Sequence, residues 1–274
     1  MNFTWINGKL IPKNQAGVSV DDSAYLYGHG VFETLRAMRG KILFLPDHLK
    51  RLDRNARLLS LKLPVTHKQL TQALHQTLHK NHLQEARIRL TLSQLPSGQP
   101  QLTLITEPFI PYPRSCYQRG GKLILIRSTR SDSTALAGIK STNYLTKVFA
   151  RQEIAKRHAV EGIFLNAQDE ITEGASSNIF MVKRGILYTP PINAGLLPGV
   201  RRKVVMQLAK KIQLKVNERS LRPKDLSGAD EIFVTSTLKD ILPIRSLEGK
   251  KIGSSCPGPV SSKLMEAYSN CLRS

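Results

Sequence analysis

Cysteine is scarce in this sequence: three in 274 residues, Cys116, Cys256 and Cys271, far apart and in no CxxC arrangement. So odd and scattered a set excludes a disulfide framework and a cysteine-built zinc site, and suits free thiols in a reducing compartment. Long apolar runs are missing too; none approaches the roughly 18 residues a membrane span needs. The opening segment, MNFTWINGKLIPKNQ, has neither the apolar core nor the cleavage site of a signal peptide. The expected address is the cytoplasm, with no membrane partner. The seven histidines form no HExxH pattern and no serine lies in a nucleophile elbow. Metal-assisted and serine hydrolysis therefore lack their usual signals, and no metal is expected.

Acidic side chains are few as well, 20 against 41 lysines and arginines, for a formal charge of +21. That excess raises a nucleic-acid-binding scaffold as one reading. The basic residues, however, are spread along the chain in short groups such as Arg201-Arg202-Lys203 and Lys250-Lys251. There is no basic tail, RNP-type aromatic signature or zinc-finger spacing. A solvated basic surface that draws small anionic substrates is the simpler account, and no nucleic-acid partner is expected.

What is present is a globular composition, 41% hydrophobic, in a chain long enough for one large or two medium domains. Residues 2–6, ahead of Asn7-Gly8-Lys9, read as a strand entering a tight turn. VFETLRAM, 31–38, alternates so that Phe32, Thr34 and Arg36 share one face while Val31, Leu35 and Ala37 share the other. Leu45, Leu49, Leu52, Ala56 and Leu59 mark a helix; Leu70, Ala73, Leu74 and Leu78 mark another. Strands at 86–92, where Arg87 and Arg89 point the same way, and at 101–106 complete a smaller domain over 1–108. The proline-rich EPFIPYPRS places a linker at 109–118. A larger domain, 119–274, is expected to hold strands near 122–127, 161–165, 178–183, 186–188 and 231–237. It also contains a helix from Asn143 to His158 carrying Leu145, Val148, Phe149 and Ala155 inward, and one after Gly199 with Val200, Val204, Val205, Leu208 and Ile212 on one stripe.

Several residues in this frame can carry chemistry. Lys140, in GIKSTNYL, sits between an apolar residue and short polar ones, where partial desolvation would suit a lysine to Schiff-base formation; a solvated surface lysine reads the same. Glu173, in ITEGASSNIF, is either a buried acid in need of a cationic partner or the cap of a turn. LLPGVRR, 196–202, opens a helix whose first amides can receive a phosphate, or is an ordinary helix start. Arg51 in DHLKRLDR is a phosphate partner or one more solvated cation. Ser236 and Thr237 can donate hydroxyls to a phosphate or merely shape a turn, and Ser176 and Ser177 read as turn formers as well.

The order and spacing of these segments resemble one family. YLYGHGVFETLR at 25–36, DHLKRL at 47–52, IKSTNYL at 139–145, EGIFLN and TEGASSNIF within 161–180, LLPGVRR at 196–202 and DEIFVTST at 230–237 are similar to the fold-type IV enzymes that use pyridoxal 5'-phosphate (PLP). These include branched-chain aminotransferases, D-amino-acid aminotransferases and 4-amino-4-deoxychorismate lyases. The resemblance implies an α+β fold of two α/β domains with the PLP cleft between them, and a homodimer whose partner chain helps close the site. It implies Lys140 as the Schiff-base lysine and Glu173 as partner of the pyridine nitrogen. Arg51, Gly199, the amides of Val200 and Arg201, Ser177, Ser236 and Thr237 complete the cofactor-binding set, with Leu197 on the ring face and Tyr144 in contact. Relatives often have threonine at the place of Arg201, so a hydroxyl contact to the phosphate is not carried over there.

Among the family's reactions, three features resemble the lyase. Phe32 stands where D-amino-acid aminotransferases have a tyrosine. Thr34 stands where branched-chain enzymes tend to have glycine and some lyases have a threonine that serves as proton donor. KSTNYL, EGIFLN and FVTST look most like bacterial lyases. The expected reaction is elimination of pyruvate from a small anionic substrate, aminodeoxychorismate, to give p-aminobenzoate for folate synthesis, with Lys140 and Thr34 catalytic and Tyr27, Phe32, Arg36, Arg87 and Arg89 on the substrate. The alternative is a branched-chain or D-amino-acid aminotransferase, since Arg89 resembles an arginine that binds the side-chain carboxylate of glutamate in branched-chain enzymes and Arg36 also has a counterpart there; either suits the two carboxylates of aminodeoxychorismate equally. SQLPSGQPQ after the 86–92 strand is shorter than the corresponding loop of relatives and lacks their Arg-Gly, so its contacts are not carried over.

Overall fold

Period-two alternation and short turns build an antiparallel sheet in the first half of the chain, seen in a computed structural model that describes residues 2–127 and 134–273 (of 134 and 135 the backbone only). Two compact units result, Met1–Ile110 with Ile139–Tyr144, and Pro111–Gly138 with Leu145–Ser274. The six-residue return of 139–144 to the first unit has no counterpart in the sequence reading.

In the first unit, β1 (Phe3–Ile6), β2 (Lys9–Pro12), helix α1 (Ser23–Tyr27), β3 (Val31–Met38), β4 (Lys41–Ile42), helices α2 (Leu45–Leu58) and α3 (His67–Lys80), β5 (Ala86–Gln94) and β6 (Pro100–Pro108) follow in turn. The strands pair antiparallel in the order β2-β1-β6-β5-β3-β4. Leu35, Ile88, Leu90, Leu102 and Leu104 from the sheet meet Leu49, Leu52 and Ala56 of α2 and Leu70, Leu74 and Leu78 of α3 in one core. Each fully buried leucine contributes on the order of 2 kcal/mol. Thr66 starts α3 with a reciprocal capping box to Gln69. Helices thus cover one sheet face, and the alternation in β3 turns Phe32, Thr34 and Arg36 to the other.

The second unit contains α4 (Arg114–Arg119), β7 (Gly121–Ile126), α5 (Thr134–Ala137), α6 (Leu145–Lys156), β8 (Glu161–Leu165), β9 (Ile171–Gly174), β10 (Asn178–Lys183), β11 (Ile186–Thr189), α7 (Val200–Lys211), β12 (Val216–Glu218), α8 (Pro223–Ser227), β13 (Glu231–Ser236), β14 (Asp240–Leu247), β15 (Lys250–Lys251) and α9 (Pro259–Arg273). Among the described residues its mixed sheet runs β12-β11-β10-β13-β14-β7-β8-β9, with β15 on β14. The strands are buried on both faces: Leu123, Ile163, Ile179, Ile232 and Val234 in one cluster, Ile124, Ile126 and Phe164 with Ala150 of α6 in another.

The expected inward stripe of α6 is wrong. Leu145 and Phe149 are 62% and 61% exposed, Val148 and Ala155 also face outward, and Ala150 with Ile154 packs on the sheet instead. A helix whose apolar residues circle its axis has no single stripe to read. Ile212, placed on the stripe of α7, follows the helix's last turn and is 37% exposed. No helix among the described residues is long and apolar enough to cross a membrane.

Candidate active site

Ile139–Tyr144 is stitched onto the start of β3. Phe32 N–H donates to the Lys140 carbonyl at 2.9 Å, Thr142 N–H to the Gly30 carbonyl at 2.8 Å, and the Thr142 hydroxyl to the Gly28 carbonyl at 2.7 Å, with a bridge between Val31 and Ser141. Gly30 permits the approach: a Cβ there would lie 2.8 Å from Ala24 Cβ and 3.0 Å from Thr142 Oγ1. The Lys140 backbone is therefore held rigidly against the strand that carries Phe32.

Phe32 is the centre of this cluster. Lys140 Nζ lies 4.4 Å and Arg89 Cζ 3.3 Å from its ring centroid, and Tyr144 meets it edge-on at 5.4 Å. The ring's negative faces suit both cations. Antiparallel register sets Phe32 opposite Thr91, Thr34 opposite Arg89 and Arg36 opposite Arg87, so the expected substrate residues Phe32, Arg36, Arg87 and Arg89 and the expected catalytic Thr34 share one surface. Arg89 Nε donates to Thr91 Oγ1 at 3.2 Å, Arg36 stacks on Phe109 at 4.2 Å, and Arg87 faces Glu107 at 3.5 Å in a half-exposed pair. A small cavity of about 180 Å³ lies among Arg87, Arg89, Ile105 and Glu107. Tyr27, on α1, is 78% exposed.

On the core side of β3 the sequence reading passed over Glu33, which is fully buried among apolar neighbours. Arg51 Nε and Nη2 donate to its two carboxylate oxygens, both at 2.7 Å, and His48 Nδ1 lies 2.8 Å from Oε2. Burial opposes ionisation of Glu33, but the Arg51 charge and fork, with His48, outweigh it and hold the carboxyl down to about 2. The fork fixes the orientation of Arg51. The signal was available: a glutamate alternating with Val31 and Leu35 needs a cation, and His48 and Arg51 sit three apart on the next helix.

In the second unit, Glu173 at the end of β9 is buried, and both of its oxygens accept. Leu197 N–H donates to Oε2 at 3.0 Å and Lys147 of α6 to Oε1 at 2.7 Å. Asn178 Nδ2 donates to the Leu197 carbonyl at 3.0 Å, so the segment leading into α7 is tied down at both its amide and its carbonyl. Gly199 is the N-cap and has no side chain of its own to cap the first amides of α7; a Cβ there would fall 1.9 Å from Asn178 Oδ1. Val200 and Arg201 open the helix, the Arg201 side chain buried at 1% exposure. Among the predicted residues, Glu173, Leu197, Gly199, Val200 and Arg201 thus form one connected segment.

Ser177 is committed elsewhere: its hydroxyl donates to Glu161 at 2.7 Å. Ser176 donates to the same oxygen, and Lys239 Nζ reaches both Glu161, at 3.0 Å, and Ser176, at 2.6 Å. Burial acts against both charges of the pair, yet their mutual attraction prevails, keeping the Glu161 carboxyl low and the Lys239 ammonium high. The Lys239 amide donates to Ser236 Oγ at 3.2 Å, so this network also shapes the turn bearing Ser236 and Thr237, both half-buried.

PLP requires an amine for its aldehyde, a carboxylate for its ring nitrogen and donors for its phosphate. The residues present fit: Lys140, the buried Glu173, and the first amides of a 12-residue helix whose N-cap is a glycine.

Comparison with known proteins agrees. The family model for class IV amino-transferases matches residues 30–247. The chain is 34% identical to a Methanocaldococcus jannaschii protein named "Putative branched-chain-amino-acid aminotransferase", over 96% of this chain and 94% of the relative. The Escherichia coli branched-chain amino acid aminotransferase structure superimposes with a TM-score of 0.92 at 28% identity, over 98% of this chain and 94% of that one. A Legionella pneumophila structure named "Putative 4-amino-4-deoxychorismate lyase" gives a TM-score of 0.87 at 27% identity, over 94% and 96%.

Proposed function

Because this chain belongs to the class IV amino-transferase family, whose cofactor is pyridoxal phosphate, we propose that it is an aminotransferase with at least one substrate that carries a second carboxylate. The observation that carries the reading is the surface on which the Lys140 amine and the Arg89 guanidinium face one Phe32 ring, with Arg36 and Arg87 beyond. An amino acid's reacting nitrogen belongs near the lysine and an acidic side chain near the arginines.

When bound, PLP supplies the electron sink that makes the substrate's nitrogen-bearing carbon acidic. Lys140 would hold the cofactor covalently and, once displaced by the substrate amine, move the proton at that carbon. Glu173 would accept from the ring nitrogen. The first amides of α7 would bind the phosphate, with Thr237, Ser236 and Arg51 adding donors and Glu33 with His48 holding Arg51 in place. The relatives named as aminotransferases support the transfer chemistry. The homodimer is part of the proposal and is checked by light scattering.

A second reading is favoured by Thr34, a hydroxyl directly opposite Arg89 on the same face. It is the lyase that releases pyruvate from aminodeoxychorismate, with Thr34 as proton donor, and the Legionella structure's name supports it. One experiment separates the two. Purified protein supplied with PLP is given amino donors of both hands with 2-oxoglutarate or pyruvate, and, separately, enzymatically generated aminodeoxychorismate. Amino transfer without pyruvate release supports the first reading; equimolar p-aminobenzoate and pyruvate establish the second. A folded protein that takes up no PLP overturns both.

A further inference from the structure

Lys147 has no part in the chemistry above, yet it pairs with Glu173. Its Nζ lies 2.7 Å from Oε1, with side-chain exposures of 16% and 4% for the two residues, while the Leu197 amide occupies Oε2. Lysine and carboxylate are 26 residues apart, on α6 and β9, so the contact is made by the fold and not by a local turn. A carboxylate oxygen can accept more than once, so the contact to Lys147 does not exclude one to a ring N–H. A ring N–H accepted there would share one anion with an ammonium. Two cations on one carboxylate each weaken the other's hold, since neighbouring like charge disfavours the protonated form.

We propose that Lys147 is a positioning residue that shares Glu173 with the cofactor's ring nitrogen: it orients the carboxylate and limits the pH up to which that nitrogen keeps its proton. The inference rests on reading Glu173 as the ring-nitrogen partner. It makes the strength of the electron sink a property of a pair of side chains. A lysine that merely neutralises a buried acid would affect stability and leave the ring nitrogen alone.

The test reconstitutes the protein with PLP isotope-labelled at the ring nitrogen and follows that nucleus by NMR across the pH range in which the protein is folded. Wild type, Lys147→Gln, which keeps a donor and removes the charge, and Lys147→Arg, which keeps both, are compared. The glutamine variant is expected to hold the ring proton to a pH higher by about one unit or more, the size of shift that a single charge within about 4–6 Å produces, with the arginine variant matching wild type. Coincident titrations of wild type and Lys147→Gln, or an arginine variant that shifts as glutamine does, overturn the proposal. Should the glutamine variant not fold, Lys147→Met, of similar volume, gives the same comparison. A wild-type protein that binds no PLP brings down the reading of the site together with this inference, whereas bound PLP with unshifted titration brings down the inference alone.

Discussion

Glu33→Gln removes one negative charge from a place without solvent: Glu33 and His48 are 0% exposed and Arg51 8%. The amide offers a single acceptor oxygen where two stood, and turns its NH2 toward donors on Arg51 and His48. The carboxyl sits at about 2 against an ordinary 4.5, which at about 1.4 kcal/mol per pH unit corresponds to about 3 kcal/mol of stability. Breaking a buried ion pair from one side costs about the same, 3–5 kcal/mol. Since the folded value is the lower one, this contribution is complete above the unfolded value near 4.5 and is lost as pH falls toward 2; at pH 3 about 1.4 kcal/mol of it remains. The chain's single tryptophan, Trp5, is buried in the core of the same unit, so its fluorescence during urea unfolding reports on the affected region. The expected gap between wild type and variant is about 3 kcal/mol at neutral pH and roughly half that at pH 3. A gap below about 1 kcal/mol at neutral pH, the range of exposed pairs, or one that does not narrow in acid, would refute the reasoning.

Three further outcomes are expected. Lys239→Met leaves Glu161 buried without its cation and should cost about 3–5 kcal/mol, while the double variant with Glu161→Gln should recover part of it; a double-variant loss equal to the sum of the two single losses in thermal unfolding would show the two residues to be uncoupled. Gly199→Ala puts a Cβ 1.9 Å from Asn178 Oδ1. That overpacking, about 1–3 kcal/mol, should weaken PLP binding about tenfold or more in equilibrium titration, and Asn178→Ala should relieve it in part. Lys140→Ala should abolish both turnover and the borohydride-fixed adduct seen by mass spectrometry; retained activity would remove Lys140 from its role.

How much of this was legible in the sequence depended on the range of the signal. VFETLRAM gave β3 to the residue, because alternation is local. The apolar stripes of α2 and α3 were equally plain. Strand β14 was missed because DILPIRSL carries Pro243 in its middle, and α9 because its buried positions reduce to Ser261, Leu264 and Tyr268. Lys140, Glu173 and the α7 start were each ambiguous alone and gained meaning from their order along the chain. Lys147 and Lys239 drew no notice, since one cation among 41 carries no local mark, nor did His48 among seven histidines.

Those overlooked cations follow a rule that the acids, being fewer, make visible. Glu33, Glu161 and Glu173 are each buried to 3% exposure or less, a position a carboxylate holds only with compensation. Each draws a basic partner from elsewhere in the fold: Arg51, 18 residues on; Lys239, 78 on; and Lys147, 26 before. Glu231, buried as well, is met instead by the amides of Val260 and Ser261 at the start of α9, where helix dipole and unsatisfied donors stand in for a cation. A guanidinium fork or a helix start takes both oxygens of one carboxylate from a single direction. Glu173 is held instead by an ammonium from α6 on one oxygen and by the Leu197 amide on the other, so it ties a second element to the segment that leads into α7.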